Sequence, residues 1–173
     1  MTYRLKIIII GEPGVGKTSL VKKFVSGQFS KDYRASIGTN IFIKNLNLNK
    51  DKSVSVYIWD IAGQERWVNM RRLYYRGAHG ALIVGDLTRK NTFDQIQQFW
   101  NPDLLNYCTN IPKILIANKN DLNNKIDEKE INGIGKAIEA KIILFTSAKN
   151  GENVEKSFEL ISSYALKICN EIS

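Results

Sequence analysis

Five short runs dense in isoleucine, leucine and valine limit this chain to a narrow set of folds: Leu5 to Ile10, Val54 to Trp59, Ala81 to Val84, Ile114 to Ala117 and Ile142 to Phe145. A strand that is apolar on both sides has to be covered on both sides, so nearly continuous runs point to a parallel sheet with helices on each face. Thr18 to Ser26, Thr92 to Tyr107, Asp127 to Glu139 and Val154 to Cys169 carry apolar residues at three- and four-residue spacing, which predicts helices, with Asn153 as a cap for the last. Ile41 to Leu48 instead alternates apolar and polar residues and predicts an edge strand, hairpinned to Val54–Trp59 across the polar turn 49–53. The expected architecture is α/β, with a mostly parallel six-stranded sheet, one antiparallel edge strand and helices on both faces. The 173 residues contain no repeat, low-complexity tract or proline-rich linker, so one domain over 1–173 is expected.

The first run leads directly into Gly11-Glu12-Pro13-Gly14-Val15-Gly16-Lys17-Thr18, which fits G-x-x-x-x-G-K-[ST] between a strand and a helix. Glycines let such a loop fold into a nest of backbone amides that faces phosphates, and the helix that follows adds the positive end of its dipole. Lys17 is expected to reach the β- and γ-phosphates. The hydroxyl of Thr18 suits Mg²⁺, a hard cation that takes oxygen ligands and keeps several waters. A glycine turn with no ligand would not require Lys17 and Thr18 after Gly16.

A phosphate loop alone does not choose the base or the reaction. Asp60 follows Tyr57-Ile58-Trp59 at a strand's carboxyl end, where a carboxylate can hold the Mg²⁺ shell from the opposite side, through water. In Asp60-Ile61-Ala62-Gly63-Gln64-Glu65, the amide of Gly63 can approach a γ-phosphate and Gln64 can orient a water.

Together with Asn118-Lys119-Asn120-Asp121 and Thr146-Ser147-Ala148-Lys149, these segments resemble the Ras superfamily of small GTPases almost end to end. Tyr74-Tyr75-Arg76-Gly77-Ala78 and Glu65-Arg66-Trp67 are similar to stretches of its Rab branch, with Trp67 in place of the more usual Phe. The resemblance implies a G domain of the P-loop NTPase fold. It assigns the phosphate cradle to Gly14, Val15, Gly16, Lys17 and Thr18, with Ser19 beside them. It gives the base to Asn118, Lys119 and Asp121, backed by Ser147, Ala148 and Lys149, with Phe29 packed edgewise on the purine. Magnesium would be held by Thr18 and Ser36, and by Asp60 through water. Physical chemistry supports guanine independently: one carboxylate, Asp121, can accept from both N1–H and the exocyclic amine, a donor pair that adenine lacks. An ATPase or nucleotide kinase is disfavoured on that ground.

The resemblance further implies slow GTP hydrolysis, with Lys17 stabilising charge and Gln64 placing water, and loops near 31–39 and 61–72 that report the nucleotide to effectors. An exchange factor and an activating protein would be the other partners. Ile41, Phe42, Trp59, Trp67 and Tyr74 are candidates for the partner surface, although several can equally be core. A module that binds GTP without useful hydrolysis is the alternative. Two departures bear on this. Ser36 stands where the family normally has Thr, and its missing methyl is expected to loosen the GTP-ordered loop. Pro13 lacks an amide hydrogen, and its ring is expected to crowd an activator's entering arginine. No arginine is evident in cis.

The formal charge is +8, but no five consecutive basic residues occur, so a nucleic-acid partner is not expected. Cys108 and Cys169 lack metal or redox spacing and are expected to be reduced packing residues. The start has no secretory pattern, and no run approaches the roughly 20 apolar residues of a membrane span, so a cytoplasmic protein is expected, and a monomer is the expected state. The chain stops at Cys169-Asn170-Glu171-Ile172-Ser173, with the cysteine fifth from the end, and shows no C-a-a-X box or polybasic tail. Association with the cytoplasmic face of membranes would therefore need a lipidated tail beyond it.

Overall fold

The computed structural model describes residues 2–29, 38–49, 52–62 and 68–172. Six strands form one sheet in the order β2-β3-β1-β4-β5-β6: β1 Thr2–Ile10, β2 Thr39–Asn49, β3 Lys52–Ile61, β4 Gly80–Asp86, β5 Lys113–Asn118 and β6 Ile142–Thr146. All neighbours are parallel except the β2–β3 hairpin, so the predicted sheet and its antiparallel edge are both present.

Successive side chains on a strand point to opposite faces, and β1 uses both. Leu5, Ile7 and Ile9 join one buried cluster with Leu20, Phe24, Phe158 and Ile161, under α1 (Lys17–Ser26) and α6 (Val154–Ile172). Ile8 and Ile10 join a second with Tyr75, Phe93, Ile96, Trp100 and Ile131, under α2 (Val68–Tyr75), the 91–105 helix and α5 (Glu128–Ala137). β4 and β5 repeat the alternation with Leu82 and Val84 against Ala81 and Ile83, and Ile114 and Ile116 against Leu115 and Ala117. This two-sided burial is why those strands read as unbroken apolar runs.

The expected helix over 92–107 is not uniform. It begins as α3 (Asn91–Gln95), widens into a π-helix over Ile96–Trp100 and resumes as α4 (Asn101–Leu105). Pro102 has no N–H to donate and its ring would press on the carbonyl four residues back, within the widened segment; the wide turn gives that ring room. Asn153 does not act as a simple cap. Its backbone is left-handed at φ 53 and its side-chain amide donates to the carbonyl of Phe145 at 2.8 Å. Asp127 is a side-chain cap, accepting from the Lys129 amide at the start of α5.

Among the described residues no helix is long and apolar enough to cross a membrane. Neither cysteine forms a disulfide; Cys108 is buried and Cys169 half-buried. Of the surface candidates, Ile41 is exposed, whereas Phe42, Trp59 and Tyr74 are half-buried against the two cores; Trp67 lies outside the described residues.

Candidate nucleotide site

Register brings the carboxyl ends of the parallel strands into line: Ile9 of β1 pairs with Asp60, Asp86 with Asn118, and Asn118 with Thr146. Because β1 is followed by crossovers to either side, the loop after it opens at the point where strand order reverses, the usual place for a ligand in such a sheet.

That loop is held carbonyl by carbonyl. Lys17 donates its ammonium to the carbonyls of Gly11 and Glu12 at 2.8 and 2.9 Å. Arg89 donates to Pro13, Lys119 to Gly14 and the Asn118 amide to Val15, each at 2.9 Å. With these carbonyls engaged, the amide hydrogens and the left-handed turns at Gly14 (φ 74) and Gly16 (φ 102) are left to meet an anion. The Glu12 carboxylate accepts from the indole N–H of Trp100 at 2.9 Å, and the guanidinium of Arg71 on α2 lies 5.3 Å from that indole ring. A chain of contacts therefore joins α2 to the phosphate loop through the π-helix.

Thr18 and Asp60 meet directly: the hydroxyl donates to Asp60 Oδ2 at 2.5 Å. Asp60 is fully buried, and its Oδ1 has no hydrogen-bond partner among the described residues. An orphaned, buried carboxylate oxygen beside a hydroxyl at the phosphate end fits a hard, hydrated divalent cation. Burial raises the Asp60 pKa, opposed by Thr18 and the Lys17 charge. Burial likewise pushes the Lys17 ammonium down to about 8, opposed by the carboxylates of Asp60 and Glu12 and reinforced by the positive charge of Arg89.

At the other end, Asn118 is buried and both ends of its amide are used, one on Val15 and one accepting from the Thr146 hydroxyl at 3.0 Å. Ser147 donates to Asp121 Oδ1 at 2.6 Å, and the Lys149 ammonium stands 3.8 Å from Oδ2. Lys119 is left-handed at φ 68 and reaches the Asp86 carboxylate at 2.7 Å as well as Gly14. Ala148 is buried, Ser19 is half-buried on α1, and Phe29 is 38 % exposed.

Gly14, Val15, Lys17, Thr18, Asp60, Asn118, Lys119, Asp121 and Ser147 thus gather at the carboxyl ends of the parallel strands. Ser36, Gly63 and Gln64 lie outside the described residues. Sequence reasoning missed Asp86 and Arg89. Asp86 is fully buried, and burial pushes its carboxyl up, but hydrogen bonds from Lys119, Thr88 and Arg89 outweigh that and hold its pKa below the usual carboxylate range. A carboxylate closing an apolar strand was the signal available, the same one that marked Asp60.

A phosphate loop, a carboxylate at the neighbouring strand end and a polar base pocket on a parallel sheet define a P-loop nucleotide-binding domain. The Ras family model matches residues 6–167. The chain is 40% identical over 174 residues to "Ras-related protein Rab-1" of Theileria annulata, covering 95% of this chain and 75% of that one. It is 37% identical to "Ras-related protein Rab-32A" of Dictyostelium discoideum, covering 95% and 79%, and 34% identical to "Ypt/Rab-type GTPase YPT7" of Saccharomyces cerevisiae, covering 94% and 82%. The chain belongs to the Rab branch of the Ras superfamily of small GTPases, and so to a family of guanine-nucleotide-binding switches.

Proposed function

We propose that this protein hydrolyses GTP to GDP and phosphate slowly, in a Mg²⁺-dependent reaction, and serves as a timer in Rab-like traffic at the cytoplasmic face of membranes. The observation that carries this reading is the set Lys17, Thr18 and Asp60, buried or half-buried together beside a loop whose carbonyls from Gly11 to Val15 are all engaged. In this reading the Lys17 ammonium and the loop amides stabilise charge on the phosphoryl oxygens, while Gln64 orients the attacking water. Thr18 and Ser36, with Asp60 through water, would hold the metal, which when bound neutralises β- and γ-phosphate charge. Loss of the γ-phosphate releases the loops near 31–39 and 61–72, and the surface around exposed Ile41 changes for an effector. Exchange and activating proteins would act on the same loops.

Single-turnover phosphate release tests the enzyme reading. Wild type should release close to one phosphate per bound GTP, and Gln64→Leu should slow this by about 10-fold or more without weakening GTP binding. Binding without release, with or without added Mg²⁺, would leave a GTP-binding module in its place.

Lys17 adds a pH signature. Between about 8 and 10.5 the folded chain binds fewer protons at this group than the unfolded one. The cost of burying its charge is therefore full below about pH 8 and is relieved as pH rises towards 10.5. Phosphates beside the ammonium favour its charged form, so GDP binding near roughly pH 8.5 should take up a fraction of a proton, and affinity should fall as pH rises further. Calorimetry in buffers of different ionisation enthalpy reads the uptake directly. A Lys17→Met variant should show none.

A further inference from the structure

We infer that Arg89 is a positioning residue for the nucleotide's phosphates, acting in cis through the carbonyl of Pro13. This inference rests on the reading that phosphates occupy the 11–18 loop. Arg89 follows β4 in a tight turn that fixes its backbone: its amide donates to the Asp86 carbonyl at 2.8 Å and its carbonyl accepts from the Thr92 hydroxyl at 2.7 Å. The turn is itself secured to the base side, since the Leu87 amide donates to the Asn118 carbonyl at 3.0 Å. From that base the guanidinium forks. Nε lies 3.0 Å from Asp86 Oδ2, and Nη2 donates to Pro13.

The same oxygen, Asp86 Oδ2, also takes the Lys119 ammonium. One buried carboxylate atom therefore aims two cations at consecutive carbonyls of the phosphate loop, Lys119 at Gly14 and Arg89 at Pro13. The two arms differ in what else they can do. Lys119 lies next to the Asn118–Asp121 base pocket, whereas the loop carbonyl that Arg89 reaches, Pro13, belongs to the phosphate end. Pro13 has no N–H, so among the described residues its carbonyl bond to Arg89 is the hydrogen bond that holds its peptide, and a charge-assisted one. The Arg89 charge also reaches far enough to depress the Lys17 ammonium, which places it within electrostatic range of any phosphate that Lys17 meets.

A lysine cannot reproduce the fork, because a single ammonium on a flexible stem lacks the planar pair of donors. Arg89 is 41% exposed, so its contribution is moderated by solvent. Arg89→Ala should weaken GDP binding about tenfold, seen mainly as faster release of a fluorescent GDP, while affinity for guanosine monophosphate falls less than about twofold. Arg89→Lys should recover only part of the loss. Lys90→Ala, which removes a neighbouring cation paired with Glu130 on the surface, serves as the charge control and should bind GDP as wild type does.

Equal losses for the mono- and diphosphate would make Arg89 a general support of the fold and overturn the inference, as would unchanged GDP release. Lys17→Ala, run alongside, separates this from the underlying reading. If Lys17→Ala loses GDP while Arg89→Ala does not, the role of Arg89 alone fails; if neither variant weakens GDP, the phosphate site is misplaced.

Discussion

Asp121→Asn is expected to lower affinity for guanine nucleotides by roughly 10³-fold, from the loss of two charge-assisted hydrogen bonds at about 1.5–3 kcal/mol each. The reason is donor and acceptor matching. A carboxylate accepts from both N1–H and the exocyclic amine of guanine, whereas an amide must turn one N–H donor toward a donor on the base. The same amide is complementary to a purine with a carbonyl where guanine has its amine, so the variant should gain affinity for xanthosine diphosphate as it loses GDP. The fold should tolerate the change. The partners of Asp121 are the Ser147 hydroxyl at 2.6 Å and a lysine at 3.8 Å, and an amide oxygen can still accept from the first. Competition between GDP, XDP and ADP for the wild type and the variant checks the prediction. Unchanged selectivity would remove Asp121 from the base site.

The strands and the ends of the site were legible because each is local chemistry. Burial on two faces forces unbroken apolar runs, and β1, β4 and β5 show that cause directly in the division of their side chains between two cores. The phosphate loop was legible because its glycines and Lys17-Thr18 are close in sequence. What escaped was anything that depends on a side chain crossing the fold. Arg89 is 76 residues from Pro13, and Trp100 is 88 from Glu12; neither contact leaves a periodic trace. The π-helix escaped for another reason. Phe93, Ile96, Trp100 and Leu104 keep three- and four-residue spacing across it, so the widened turn is silent in the apolar pattern, although Pro102 marked the place. Helix α2 was subsumed in the loop expected near 61–72. It nevertheless carries Arg71 to a buried position beside Asp103 and the Trp100 ring, and so to the element that holds Glu12.

Two glycines of the same loop should both cost stability when substituted, and the second should cost the site as well. Gly11 has φ 143, and a Cβ there would come within 2.3 Å of the backbone carbonyl of Val84 on β4. Strands β1 and β4 are hydrogen-bonded up to Ile10 and Ile83, so that carbonyl cannot retreat without breaking the ladder. Gly11→Ala should cost about 2–6 kcal/mol, strain and overpacking combined, and lower the melting temperature by roughly 10 °C. Gly16 has φ 102, so a Cβ there is strained too, and it meets the side-chain nitrogen of Asn118 at 2.4 Å, a buried amide that must move to make room. The movement sacrifices the bond from Asn118 to Val15 and loosens the phosphate loop against the base loop. Gly16→Ala should therefore cost about 2–6 kcal/mol as well, from strain and the broken amide contacts, and in addition bind GDP about 100-fold more weakly. Thermal unfolding and GDP titration on both variants read the two effects separately. Wild-type melting of Gly11→Ala, or wild-type GDP affinity in Gly16→Ala, would show that the close approaches at these positions relax without consequence.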